Sequence, residues 1–188
     1  MLINIDTIIH DDDPRMRMPS EDVTLPLSEE DRALMSDMYT YVKESTDPEL
    51  AEEKHLAPAV GISAVQVGVN KKMCAIIVHD VDKNDEEIVH EFCFVNPKIV
   101  SYSVQKAYLD NGEGCLSVSD VHEGHVIRSA RIKVQGYDML RDENITVRAS
   151  GYLAIVIQHE LDHFKGTLFY DHIDVEDPFK DIEGAMVI

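Results

Sequence analysis

The chain has 188 residues, with 17 Lys and Arg against 36 Asp and Glu, a formal net charge of −19. That length fits a single domain over residues 1–188, and 44% hydrophobic with 28% charged residues excludes a disordered chain. The acidic balance argues against direct nucleic-acid binding and against docking on anionic membranes, because both need clustered Lys and Arg.

Cys74, Cys93 and Cys115 are too few and too scattered for a disulfide framework, which points to a reducing, cytoplasmic setting. No basic, apolar leader is visible, and no run approaches the roughly 20 apolar residues that span a bilayer.

The opening segment, with Asp11-Asp12-Asp13-Pro14 and Ser20-Glu21-Asp22, reads as a turn-rich, solvated surface. Ser28 has the character of an N-cap, followed by Glu29, Glu30 and Asp31 where a helix dipole favours negative charge. Leu34, Met35, Met38, Tyr41 and Val42 recur at helical spacing, which predicts an amphipathic helix of about 17 residues. Asp47-Pro48 restarts a short helix to about Leu56, with Pro at its first position. The run of small residues from 59 to 68, with the single amide of Gln66, reads on its own as a tight core turn.

Residues 73–78 and 91–95 are apolar, β-branched and aromatic, and read as strands joined by an exposed hairpin loop at 83–86. Residues 99–104 and 127–136 extend the sheet. The strongest helix spans 150–165, Ser-capped at its start and stopped by Gly166. The class is α+β, with antiparallel or mixed sheets packed around this buried helix.

That helix carries Gln158-His159-Glu160-Leu161-Asp162-His163, an H-E-x-x-H sequence. At about 100° per residue, positions i and i+4 lie only ~40° apart, so both imidazoles leave one face and can meet one cation. Glu160 is then placed to take a proton from water activated by the metal, without being a ligand itself. Leu153, Ile155, Val156 and Ile157 make the helix too apolar to be exposed, and buried imidazoles need partners.

Two imidazoles leave a catalytic metal one protein ligand short. Downstream candidates are Asp171, His172 and Asp174. Upstream, Cys115 sits between small residues in Gly112-Glu113-Gly114-Cys115-Leu116-Ser117, where Gly114 allows backbone to approach a ligand. Cys74 and Cys93 lie in apolar strands and read as core thiols. His122-Glu123-Gly124-His125 also holds ligand-type residues, but its spacing and its Gly do not suit a helix, and it reads as a cleft-side loop. Arg128 and Arg131 are both candidates to pair with Glu113.

Together the three segments resemble peptide deformylase, whose motifs run G-x-G-x-A-A-x-Q, E-G-C-L-S and Q-H-E-x-D-H. The second and third stand here without departure, at 113–117 and 158–163. The first departs: Ala59 replaces a Gly, Ser63 replaces an Ala, and Val65 takes the variable position that is commonly Pro, while Gly61, Ala64 and Gln66 remain. The long spacer between the first two motifs and the apolar, non-helical end are similar to the second type, found in Gram-positive bacteria.

This resemblance implies Cys115, His159 and His163 as ligands of one divalent metal, naturally Fe(2+), with Zn, Ni or Co able to replace it. It implies Glu160 as the general base, with the Gln66 amide and the Leu116 backbone N–H as donors to the oxyanion. The substrate is then an N-formylmethionyl nascent peptide, which yields formate. Gly61, Gly114, Tyr152, Ile155 and Val156 are the expected substrate-binding residues; the last three lie seven, four and three positions before His159, on its helical face.

Three other readings remain open. The altered first motif would suit a catalytically weak relative that binds formylated peptides or metal. An H-E-x-x-H endopeptidase would use a non-cysteine third ligand. A structural zinc domain would leave no open coordination position. Residues 174–188 carry one Lys against Asp174, Glu176, Asp177, Asp181 and Glu183, so weak or no docking on a ribosome is expected.

Overall fold

The structure, a computed structural model, describes residues 2–82 and 84–188. Helix α1, Glu29–Ser45, starts where the Ser28 hydroxyl accepts a hydrogen bond from Asp31 N at 3.1 Å, with its three acidic residues in the first turn. Helix α2, Pro48–Lys54, is capped by Asp47 and ends at His55 in a left-handed conformation.

Strands β1 (Gly61–Ser63), β2 (Met73–Val81), β3 (Glu87–Tyr102), β6 (Arg131–Asp138) and β7 (Glu143–Ser150) form an antiparallel sheet in the order β1-β2-β3-β6-β7. A smaller mixed sheet contains β5 (Arg128–Ser129), β4 (Lys106–Tyr108) and β8 (Met186–Val187), with β8 parallel to β4. Helix α3 spans Gly151–His163.

Alternation along β2 and β3 sends side chains to two cores. Met73, Ala75, Ile77, Cys93 and Val95 pack with Leu34, Met35 and Met38 of α1. Cys74, Ile76, Val78, Phe92 and Phe94 meet Leu153, Ala154, Val156, Ile157 and Leu161 of α3. The other side of α3 touches the small sheet, where Ile155 packs on Ala107 and Ala130. The α+β class with antiparallel and mixed sheets holds, and α3 lies between the two sheets.

Several boundaries differ from the sequence reading. The strands expected at 91–95 and 99–104 are one strand, β3, whose register shifts around Pro97 absorb the interruption. The strand expected at 127–136 divides at Ala130, so its halves join different sheets. Strand β7 was not expected although Ile145, Val147 and Ala149 alternate with exposed Asn144, Thr146 and Arg148 along it, and β1, β4 and β8 are too short to show a period. Ser150 occupies the N-cap of α3 but its side chain caps nothing, and the helix ends at His163 before the Gly166 turn. The opening segment is not wholly solvated: Ile3, Ile8 and Met16 are buried. Asp82 N donates to Glu86 O across the loop expected at 83–86, and Lys83 itself lies outside the described residues.

Candidate metal centre and its cleft

Three elements meet at the site. Strand β1 brings Gly61 and Ser63, and the 3-10 turn Ala64–Val67 that follows brings Gln66. The loop after β4 turns at Gly112, in a left-handed conformation, and delivers Glu113, Gly114, Cys115 and Leu116. Helix α3 delivers His159, Glu160 and His163.

The ligand atoms of Cys115, His159 and His163 all lie within 4.8 Å of one another, the one such group of three among the described residues. Cys115 Sγ is 3.5 Å from His163 Nε2. His159 Nδ1 lies 2.8 Å from Glu113 Oε2, which assigns the ring proton to Nδ1 and leaves Nε2 for a cation. The set of one thiol and two imidazoles suits a borderline divalent metal.

The electrostatics agree. Burial alone would discharge His159, but Cys115, Glu113 and Glu160 outweigh it and hold its pKa well above the usual imidazole value. Those same neighbours favour a metal cation in place of that proton. Burial, and then the charge on His159, push His163 well below the ordinary value, toward the neutral form that ligates.

The other candidate ligands are engaged elsewhere. Asp171 pairs with Arg17 and accepts from Leu168 N. His172 Nε2 lies 2.7 Å from Asp162 Oδ2, and Asp174 pairs with Lys180. His122 stacks on Tyr170 and His125 on Tyr108, and none of residues 122–125, expected as a cleft-side loop, is among those that line the cleft.

Arg128, not Arg131, is the partner of Glu113, with Nε to Oε1 at 2.5 Å and Nη2 to Oε2 at 2.9 Å. Its Nη1 donates to Asp162 Oδ2 at 2.9 Å, so one buried guanidinium ties the cysteine loop to α3. Arg131 is exposed on β6 and bonds to Gln105. Gln158 locks α3 to β5 by accepting from Ser129 N and donating to Ser129 O. Neither the contact of Glu113 with His159 nor that of Asp162 with Arg128 was legible from spacing, because each joins segments distant in the chain.

Glu160 is 4% exposed, and burial raises its pKa against the opposing pull of His159, Ser63 and Arg128. Gln66 Oε1 accepts from Ser63 N at 2.8 Å, and Nε2 lies 3.4 Å from Cys115 Sγ, so the amide's donor end faces the three-residue cluster.

A cleft of about 570 Å³ opens onto this cluster. Gly61, Gly114, Leu116, Tyr152, Ile155 and Val156 all line it. The sequence missed its far wall, to which Ile5, Ile8, Tyr41 and Pro58 contribute.

A family model described as Polypeptide deformylase matches residues 5–178. The chain is 44% identical over 187 residues to Peptide deformylase 2 of Bacillus subtilis, covering all of this chain and 99% of the relative. Peptide deformylase 2 of Geobacillus stearothermophilus is 46% identical over 187 residues, again covering all of this chain and 99% of the relative. Among solved structures, the peptide deformylase of Ehrlichia chaffeensis superposes with a TM-score of 0.70 at 30% identity, covering 92% of this chain and 89% of that one. A class I type b peptide deformylase of Acinetobacter baumannii, solved with Met-Ala-Ser bound, gives 0.70 at 25% identity, covering 92% and all of the two chains.

Proposed function

The chain belongs to the polypeptide deformylase family, in its second type, and from that premise we propose which of its residues perform the reaction. The activity is removal of the N-formyl group from nascent peptides, a hydrolysis that requires a divalent metal. The observation that carries the residue assignment is the convergence of Cys115, His159 and His163 beside the buried Glu160 and Gln66, with one cleft opening onto them.

On this reading Cys115, His159 and His163 hold the metal, and Fe(2+) is the natural ion, with Zn, Ni or Co as substitutes. A divalent metal there supplies the charge that makes water a nucleophile near neutral pH and polarises the formyl carbonyl. Glu160 accepts the proton of the attacking water and returns it to the departing amine; a carboxyl raised by burial suits both steps. The Gln66 amide and the Leu116 backbone N–H donate to the oxygen on which negative charge develops. Glu113 fixes the tautomer and tilt of His159, and Arg128 fixes Glu113.

Tyr152, Ile155 and Val156 offer an apolar wall to the methionine side chain, while Gly61 and Gly114 let the peptide backbone come close. Residues 1–188 act as one catalytic domain in the cytoplasm.

The test is deformylation of a formyl-Met peptide by iron- or nickel-loaded protein. Turnover is expected for the wild type, and Glu160→Gln should lose roughly 10²–10⁴-fold in kcat. Equal rates in the two proteins would overturn the assignment of Glu160. Cys115→Ser should lose or change the bound metal; retention of normal metal content would favour a different third ligand, as in an endopeptidase. Ribosome docking should be weak or absent, since residues 174–188 carry one Lys against five acidic groups and end in β8. Tight, salt-sensitive co-sedimentation would contradict that.

A further inference from the structure

Glu160 is held from behind by a residue at which the chain departs from the family pattern. Ser63 is fully buried in β1 and does not line the cleft, yet its Oγ donates to Glu160 Oε2 at 2.7 Å and lies 3.1 Å from the Glu160 carbonyl oxygen. Among the described residues, no other hydrogen-bond donor reaches the Glu160 carboxylate.

Two residues back on the same face of β1 the carboxylate rests over Gly61, where a Cβ would come within 2.5 Å of Oε1. The two oxygens are therefore distinguished by their neighbours. Oε2 is bound to the buried hydroxyl, and Oε1 lies against a residue of the cleft wall.

We propose that Ser63 is the positioning residue for Glu160, its hydroxyl pinning Oε2 so that Oε1 is the oxygen presented to the reacting groups. The inference rests on Glu160 being the base. A carboxylate tethered at one oxygen loses most of its freedom to rotate about its last bond, and a proton acceptor fixed within a few tenths of an ångström raises the fraction of productive encounters. The contact acts on the reacting step and not on peptide binding, because Ser63 touches no cleft surface. The backbone N–H of Ser63 also holds Gln66, but that bond survives any side-chain change, so the hydroxyl can be tested alone.

The experiment compares Ser63→Ala and Ser63→Cys with the wild type, all loaded with the same metal. In Ser63→Ala, kcat should fall roughly tenfold while KM stays within about twofold, and Ser63→Cys, a near-isostere with a weak donor, should fall between. The absorption spectrum of the cobalt-loaded protein should not change. In a Glu160→Gln background, Ser63→Ala should have no further effect on the remaining rate.

Wild-type kcat in both variants, a loss confined to KM, an altered cobalt spectrum, or a full additional loss in the Glu160→Gln background would each overturn the proposal. A Glu160→Gln protein with wild-type rate would instead overturn the underlying assignment of the base, so the two failures are distinguishable.

Discussion

Glu113 faces His159 with one carboxylate oxygen, Oε2 at 2.8 Å from Nδ1, while Arg128 grips both of its oxygens. The carboxyl is held below its ordinary value because Arg128 and His159 outweigh the cost of burial. A buried carboxylate behind a ligating imidazole both aims the ring and keeps it electron-rich.

Glu113→Gln should therefore weaken metal binding by about 10–100-fold, measured by competition with a chromogenic chelator. Arg128 is 4% exposed and would lose its main counter-ion, so thermal stability should fall as well. Unchanged metal affinity would show that His159 needs no orienting partner.

Gly61→Ala tests the steric half of the Glu160 setting. The added methyl would sit 2.5 Å from Oε1 and 2.8 Å from Cδ of Glu160, a distance no relaxed structure tolerates. Glu160 must swing aside, and a displacement near 1 Å should cost roughly 100-fold in kcat. Metal content should be unchanged, since the three atoms nearest the added methyl all belong to Glu160, which is not a ligand. A variant with normal kcat would show that Glu160 has room to work from another rotamer.

How much of this could be read from the chain depended on distance along it. The pair His159 and His163, with Glu160 between them, is set by helix geometry within five residues, and Cys115 stood out because glycines flank it on the Glu113 side. Helix α1 was legible for the same reason, from Ser28 and the apolar spacing that follows. What stayed hidden depends on contacts between distant segments: Ser63 with Glu160 is 97 residues apart, and Arg128 with Asp162 is 34. Strand β7 does carry a local signal, since Ile145, Val147 and Ala149 alternate with exposed Asn144, Thr146 and Arg148 at the period of a half-buried strand.

Asp31 offers a stability test away from the metal. Burial pushes its carboxyl up, but Lys71 at 2.5 Å and the Ser28 hydroxyl more than compensate, so the folded value lies below the usual one. A depressed folded pKa means the stabilisation is present above the unfolded carboxyl range near pH 4 and is lost as the pH falls through the folded value. Lys71 is 38% exposed, so the contact is worth only about 1 kcal/mol. Asp31→Asn should lose about that much in urea unfolding at pH 7, and the gap from wild type should close below about pH 4. A gap that persists at acid pH would trace the loss to packing and not to charge.

The three thiols should differ sharply in reactivity. Cys74 and Cys93 are fully buried, in the two cores on opposite faces of the large sheet. Burial, reinforced by Glu160 and Cys93, pushes the Cys74 thiol well up; burial and Asp138 push Cys93 to about 12. Both stay protonated and sheltered near neutral pH, so neither can attack a disulfide reagent. Cys115 is partly exposed and lines the cleft. Chelator-treated, folded protein should therefore release one equivalent of chromophore from a thiol reagent at pH 8, and the other two only on unfolding. Cys115→Ser should abolish the fast equivalent, and restoring the metal to the wild type should slow it, because a ligated thiolate is no longer free to attack. Two or three fast equivalents from the folded protein would mean that one of the cores opens on the reaction timescale.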